Sequence, residues 1–320
     1  MTILRTDTIS GIGATPTEGT TFDGHMKFNN PNYFTLPKGT TRERYQTKVG
    51  DIVSDNLIWH LDGGDVGSYA GVTTSGTTIY DLKGGSGMNG GVGIATLSTG
   101  HATIPDAGWV PDNGGCFRLV STSKNGDGNY TGSKIDMPYY SLGNGTFTIN
   151  VWVKLDHFSY NTDGHSYLVT NKDSGPVTSH CHIKRIRTSG GGDSQEVGRI
   201  GYGAYNSSWT YDYAKNIDEN TKIHQHKWYM LTWVNVSANT MSMYVNGKIQ
   251  KLHNANAYTW TSTSVNNSPK NSTSYAGVES TNGWIGQIQY YSDALTRDEI
   301  IQNYDAHKWR YDQLNVGISS

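Results

Sequence analysis

Charge is scarce in this sequence. Asp, Glu, Lys and Arg supply 16% of the 320 residues and leave a formal net charge of −2. A broad basic surface for nucleic acid is therefore not expected. Nor is this the highly charged, aromatic-poor composition of a disordered chain. Cysteine is scarcer still. Cys116 and Cys181 are the only two, too few for a disulfide framework, and the reading is of two free thiols. Long apolar runs are missing as well. No segment reaches the roughly 20 apolar residues of a membrane-spanning helix. The opening residues MTILRTDTISGIG hold no apolar stretch of signal-peptide length. The expectation is a chain made in a cytoplasm, with no membrane insertion.

What is abundant is Gly, Asn, Ser and Thr, together with 21 Tyr and 9 Trp. Aromatic and β-branched residues between glycine-rich turns favour strands. The stretch FTINVWVKL alternates cleanly, with Phe147, Ile149, Val151, Val153 and Leu155 on one face and Trp152 on the other. The stretch WYMLTWVNV, Trp228 to Val236, is apolar on both faces, as a central strand of a sandwich is. The pair Asn246-Gly247 is a strong hairpin signal. Near the end, Thr296 and Glu299 form a capping box that opens a short helix, with Ile300, Tyr304 and Lys308 on one face. The fold class is therefore all-β, a two-sheet antiparallel sandwich or jelly roll closed by a short C-terminal helix.

Residues 1–46 read differently. Their apolar residues Met26, Phe28, Tyr33, Phe34 and Leu36 are too few for a core. They read as an extended β arm that packs on another surface or adds a strand to another chain. Residues 47–320 then form the sandwich domain. Within it, the polar segment 253–277 is long enough for a functional loop or an interface.

Two groups of residues are candidates for a site. The first is the loop TIYDLKGGSGMNGG, in which Asp81 precedes five glycines. It lacks the Lys-Ser/Thr of a phosphate-binding loop. Hard cations want oxygen ligands, and a glycine-rich loop can turn carbonyls toward one point, so calcium is a candidate cofactor. Its ligands would be Asp81 and Asn89, with Asp62 and Asp65 upstream. The plainer alternative is that glycine serves tight turns and Asp81 caps backbone N–H groups. The second group is two aromatic-rich turns. YNSSWTYDY places Trp209, Tyr211 and Tyr213 beside Asn206 and Asp212, and AYTWTSTS offers Tyr258 and Trp260. Aromatic faces stack on sugar C–H groups while Asn and Asp bond hydroxyls. The same residue types also pack between chains of an assembly.

Five blocks in order carry a resemblance: LIWHLDGGDVGSY, TTIYDLKGGSGMNGG with GGCFRL, GTFTINVWVKL, HKWYMLTWVNVSANTMSMYVNGKI, and GWIGQIQYYSDALTRDEIIQNYDAHKWRY. Over about residues 56–311 they resemble laminin-G-like, concanavalin A-like lectin domains. The version most similar occurs in virion proteins of tailed bacteriophages, marine ones especially, and the segment FNNPNYFTLPKGTTRER resembles short N-terminal β segments of phage structural proteins. The resemblance implies a structural protein on the outside of a virion, a capsid decoration, head fibre or tail-fibre adhesin. It implies other virion proteins as partners, self-association as a trimer, and weak multivalent binding of host polysaccharide; a purely structural role without ligand is the alternative. Carried over by position, Asp81 is the best single calcium candidate. Calcium-binding members of this family often have an acidic residue where this chain has Gly286, after Gly283-Trp284-Ile285. The same sandwich also hosts glycoside hydrolases, which need paired carboxylates. The six glutamates, Glu18, Glu43, Glu196, Glu219, Glu279 and Glu299, form no such pair in sequence. A G-x-S-x-G nucleophile elbow is absent too, so an enzyme is not expected.

Overall fold

The computed structural model describes residues 51–65, 67–69, 78–83, 94–98, 108–110, 115–124, 130–132, 134–136, 146–158, 165–172, 177–186, 197–206, 208–214, 222–237, 240–250, 269–270 and 282–315. The chain divides into two units, Met1–Thr47 and Lys48–Ser320. Every described residue belongs to the second, so the arm read at residues 1–46 lies outside the described residues.

The strands run, in chain order, β1 (Leu57–Asp62), β2 (Thr78–Tyr80), β3 (Ile94–Ser98), β4 (Gly108–Val110), β5 (Cys116–Leu119), β6 (Ser121–Lys124), β7 (Tyr130–Gly132), β8 (Lys134–Asp136), β9 (Phe147–His157), β10 (His165–Lys172), β11 (Val177–Arg185), β12 (Val197–Asn206), β13 (Ser208–Tyr213), β14 (Ile223–His224), β15 (Trp228–Ser237), β16 (Thr240–Val245), β17 (Lys248–Ile249), β18 (Pro269–Lys270) and β19 (Asn282–Tyr291). A helix, α1 (Arg297–Asn315), follows. Among the described residues no helix is long and apolar enough to cross a membrane.

Two antiparallel sheets make the sandwich. The first has eight strands in the order β17-β16-β15-β9-β19-β5-β4, with β1 also paired to β19. The second has six, in the order β13-β12-β11-β10-β18, with β14 also paired to β12. Strand alternation decides which residues meet between them. From β9 come Phe147, Ile149, Val151, Val153 and Leu155, all buried, as the sequence pattern predicts. Facing them from the second sheet are Val169, Cys181, Ile183, Ile200 and Tyr202. Trp233 fixes the two layers further by donating from Nε1 to the Gly201 carbonyl at 2.9 Å.

The outer face of the first sheet is buried a second time, by α1. Trp152, Trp228, Met230, Tyr244 and Tyr291 meet Ile300 and Tyr311 there. Trp152 stacks on Tyr311 with ring centroids 4.2 Å apart. This explains why β15, central between β9 and β16, is apolar on both faces. Cys116 and Cys181 are both free and buried, one in each of these two clusters.

Local signals appear where the residues place them. Asn246 and Gly247 carry φ of 51° and 74° and turn the chain between β16 and β17. The capping box forms: the Thr296 N–H donates to Glu299 Oε2 at 2.7 Å, and the Glu299 N–H reaches Thr296 Oγ1 at 3.4 Å. The helix is longer than the sequence reading implied, 19 residues. Its sheet-facing stripe is also more polar: Asn303 is fully buried, accepts from the Val53 N–H at 2.8 Å and donates to the Tyr291 hydroxyl at 3.1 Å.

Candidate functional site

The aromatic stretch YNSSWTYDY, read from sequence as a turn, is instead the end of β12 followed by β13, an edge strand among the described residues. Trp, Tyr and Thr favour extended backbone, which accounts for it. The register is regular: Gly201 stands opposite Tyr213, Tyr202 opposite Asp212, Gly203 opposite Tyr211, Ala204 opposite Thr210 and Tyr205 opposite Trp209. Residues directly opposite share a face of the sheet. Ile200 and Tyr202 are buried in the inter-sheet core, so the even-numbered positions of β12 face inward. Trp209, Tyr211 and Tyr213 occupy alternate positions of β13, in register with odd-numbered positions of β12. Asp212 is in register with the buried Tyr202. Asn206 pairs with Ser208 at the hairpin end. The two-residue period of a strand thus unites the three aromatic positions and separates Asp212 from them. Tyr258 and Trp260 lie outside the described residues.

The acidic candidates are held by β1 and the turns around it. Asp81 Oδ1 accepts from the His60 N–H at 2.8 Å and the Lys83 N–H at 3.0 Å. It clips the chain after β2 onto β1, the capping role that the sequence left open. Its Oδ2 has no hydrogen-bond partner. Burial pushes the Asp81 carboxyl above its ordinary value, against those two backbone donors. Asn89 lies outside the described residues, and Asp65 accepts from the Gly67 N–H at 2.7 Å.

Asp62 is engaged quite differently. Its Oδ1 accepts from the Gly64 N–H at 2.7 Å and from Arg310 Nη1 at 2.7 Å, while Oδ2 accepts from Gln287 Nε2. Arg310 Nη2 also donates to the Gly115 carbonyl at 2.6 Å. Burial pushes the Asp62 carboxyl up, but Arg310, His307 and His60 outweigh it and hold it below its ordinary value. Burial lowers His307 to about 4 and depresses His60 as well, with Asp62 opposing both. The result is a buried cluster of one carboxylate, one guanidinium and two neutral imidazoles that joins α1 to β1. A carboxylate already facing a guanidinium offers little to a second cation. Among the described residues, no group of three or more His, Cys, Asp or Glu side chains is arranged to hold a metal ion.

Gly286, where an acidic ligand was noted as missing, has a packing reason. A Cβ there would run into the Tyr311 hydroxyl and lie 2.7 Å from its Cε1. The position is taken up by the helix. Sequence reasoning missed Arg310, His307 and Gln287 altogether. The available signal was the helical spacing of Ile300, Asn303, His307 and Arg310, a stripe whose polar members suggest a solvent face until the strands beneath are known.

Comparison with known proteins adds the following. The model of the concanavalin A-like lectin/glucanases superfamily matches residues 127–301, more than half of the chain. No curated protein matches the sequence. Among solved structures, domain 4 of an extracellular arabinanase from Geobacillus stearothermophilus, in complex with arabinotriose, is similar with a TM-score of 0.45 and 14% identity, over 78% of this chain and 98% of that one. The botulinum neurotoxin serotype D binding domain gives 0.49 and 12%, over 78% and 52%. Trypanosoma rangeli sialidase, in complex with an inhibitor, gives 0.48 and 13%, over 82% and 36%. The chain thus spans nearly all of the arabinanase domain, about half of the toxin domain and about a third of the sialidase.

Proposed function

The chain belongs to the concanavalin A-like lectin/glucanases superfamily, and from that membership we propose that it binds carbohydrate, as a structural protein displayed on the outside of a phage particle. The observation that carries the binding half is that Trp209, Tyr211 and Tyr213 stand at alternate positions of one strand, at the edge of its sheet among the described residues. An aromatic row on a rigid sheet is suited to stacking on sugars. The phage half rests on the ordered sequence blocks, the closing helix and the resemblance of the arm. In this reading the arm, residues 1–46, anchors the chain to other virion proteins or to its own copies as a trimer. The sandwich faces outward as a capsid decoration, head fibre or tail-fibre adhesin. Each site is weak, and many copies supply avidity.

The reading is of a binding protein rather than a hydrolase. Supporting it, the buried carboxylate of Asp62 is neutralised by Arg310. Calcium is assigned to the Asp81 loop rather than to Asp62. Asp81 keeps one oxygen without a hydrogen bond, whereas both Asp62 oxygens already accept.

The test is binding of the full chain to bacterial cells and their extracted surface polysaccharides, with and without EDTA. Saturable binding is expected, weakened in Trp209→Ala and Trp260→Ala, and lowered by EDTA. No binding by a folded, multivalently displayed sample would sink the carbohydrate reading and leave a purely structural decoration. Mass spectrometry of purified phage particles checks the virion assignment, which fails if the chain is absent from them.

A further inference from the structure

The outer face of the first sheet, which α1 covers, carries a layer of buried polar side chains. Trp59, Leu61, Ile288 and Tyr290 lie in the inter-sheet core, so alternation turns His60 and Asp62 of β1 and Gln287 and Gln289 of β19 toward the helix. Asn150 of β9 and Thr232 of β15 share that face, and all six are buried. Gln289 stands between His60 and Asn150, and Gln287 stands opposite Asp62.

Hydrogen bonds run along this layer in two stretches. In the first, Thr232 Oγ1 donates to Asn150 Oδ1 at 2.7 Å, and Asn150 Nδ2 donates to Gln289 Oε1 at 3.1 Å. In the second, Gln287 Nε2 and Arg310 Nη1 both donate to the Asp62 carboxylate. Where the stretches face each other, three atoms have no hydrogen-bond partner among the described residues: Gln289 Nε2, Gln287 Oε1 and His60 Nε2. Their residues are only 2%, 1% and 8% exposed. Folded proteins pair nearly all buried polar atoms, so these three call for a ligand. Directly opposite residues have Cβ atoms about 5 Å apart and diagonal ones about 7–8 Å, so one small molecule reaches all three side chains.

The donor set selects that molecule. Gln289 Nε2 only donates, and Gln287 Oε1 only accepts. Burial keeps the His60 imidazole neutral, which leaves Nε2 able to accept. A cation would face the Gln289 amide hydrogens and the Arg310 guanidinium. An anion would face the Gln287 oxygen and the Asp62 carboxylate. Water donates and accepts at once, and buried waters typically make about three hydrogen bonds.

We propose that the protein binds one ordered water here, accepting from Gln289 Nε2 and donating to Gln287 Oε1 and His60 Nε2. The water joins the two stretches into one chain of hydrogen bonds from Thr232 on β15 to Asp62 on β1, where Arg310 of α1 ends it. Every donor along the chain points toward the Asp62 carboxylate, so successive bonds polarise one another. The helix then docks through a satisfied polar layer, which favours one register of α1 on the sheet.

The experiment has two readouts on the full chain. In a high-resolution crystal structure, a water is expected within about 2.7–3.2 Å of all three atoms. In solution, water relaxation dispersion by nuclear magnetic resonance counts long-lived internal waters. Gln289→Met, folded by circular dichroism, is expected to hold one fewer than the native chain. Gln302→Met, at an exposed position of α1, is expected to hold the same number. No density at the site, density that misses any of the three atoms, or an ion's anomalous scattering there would overturn the proposal. So would equal counts in the native chain and Gln289→Met. If Gln289→Met does not fold, the native crystal structure decides alone.

Discussion

Arg310 Nη1 lies 2.7 Å from Asp62 Oδ1, a buried ion pair between residues 248 apart in the chain. The same guanidinium reaches the Gly115 carbonyl at 2.6 Å. One side chain thus connects the last helix to the first strand and to the turn before β5. A guanidinium suits this position because its planar fork donates in two directions at once.

Truncating that arginine tests how much the connection matters. Arg310→Met leaves the Asp62 carboxylate buried without its counter-charge, which typically costs about 3–5 kcal/mol. Urea denaturation of the full chain should show a loss of this order. Replacing both partners, Arg310→Met with Asp62→Leu, should recover part of it, because no uncompensated charge remains. Equal losses in the single and double variants would show that the ion pair is not the source.

Acid should loosen the same junction. His307 is depressed by burial from 6.5 to about 4. Between those values the folded imidazole stays neutral while the unfolded one takes up a proton. The unfolded state then binds more protons, so stability falls as pH drops through this window. The depression corresponds to about 3 kcal/mol. His60, also depressed by burial, acts in the same direction. Asp62, held below 3.8, adds a further loss only at lower pH, as it protonates. Denaturation midpoints at pH 7, 5.5 and 4.5 should decline for the native chain and decline less for His307→Gln. A flat profile for the native chain would contradict the assignment.

Gly286 should tolerate no side chain. Gly286→Ala puts a Cβ against Tyr311, whose ring is stacked on Trp152 and cannot withdraw freely. Overpacking of this kind costs about 1–3 kcal/mol. Thermal unfolding should show the loss, and hydrogen exchange should show faster opening of the last turns of α1. Unchanged exchange there would mean that Tyr311 shifts without strain.

Legibility followed sequence distance. The inward face of β9, the Asn246-Gly247 turn and the Thr296–Glu299 cap were readable because each is set by residues a few positions apart. The stretch after Asn206 was misread as a turn, since its Asn and Ser residues suggest loops while Trp209 and Tyr211 suggest a strand, and only pairing to β12 resolved the conflict.

Residue order alone was enough for the all-β class, the two-sheet sandwich and the closing helix, because alternation, turn chemistry and caps act locally and agree with one another. It was not enough for the partners of Asp62, the reason for Gly286, or the alignment of Gly201 and Gly203 with Tyr213 and Tyr211. Those depend on which strand lies beside which and in what register. Contacts across up to 251 residues settle that, and no local pattern encodes them.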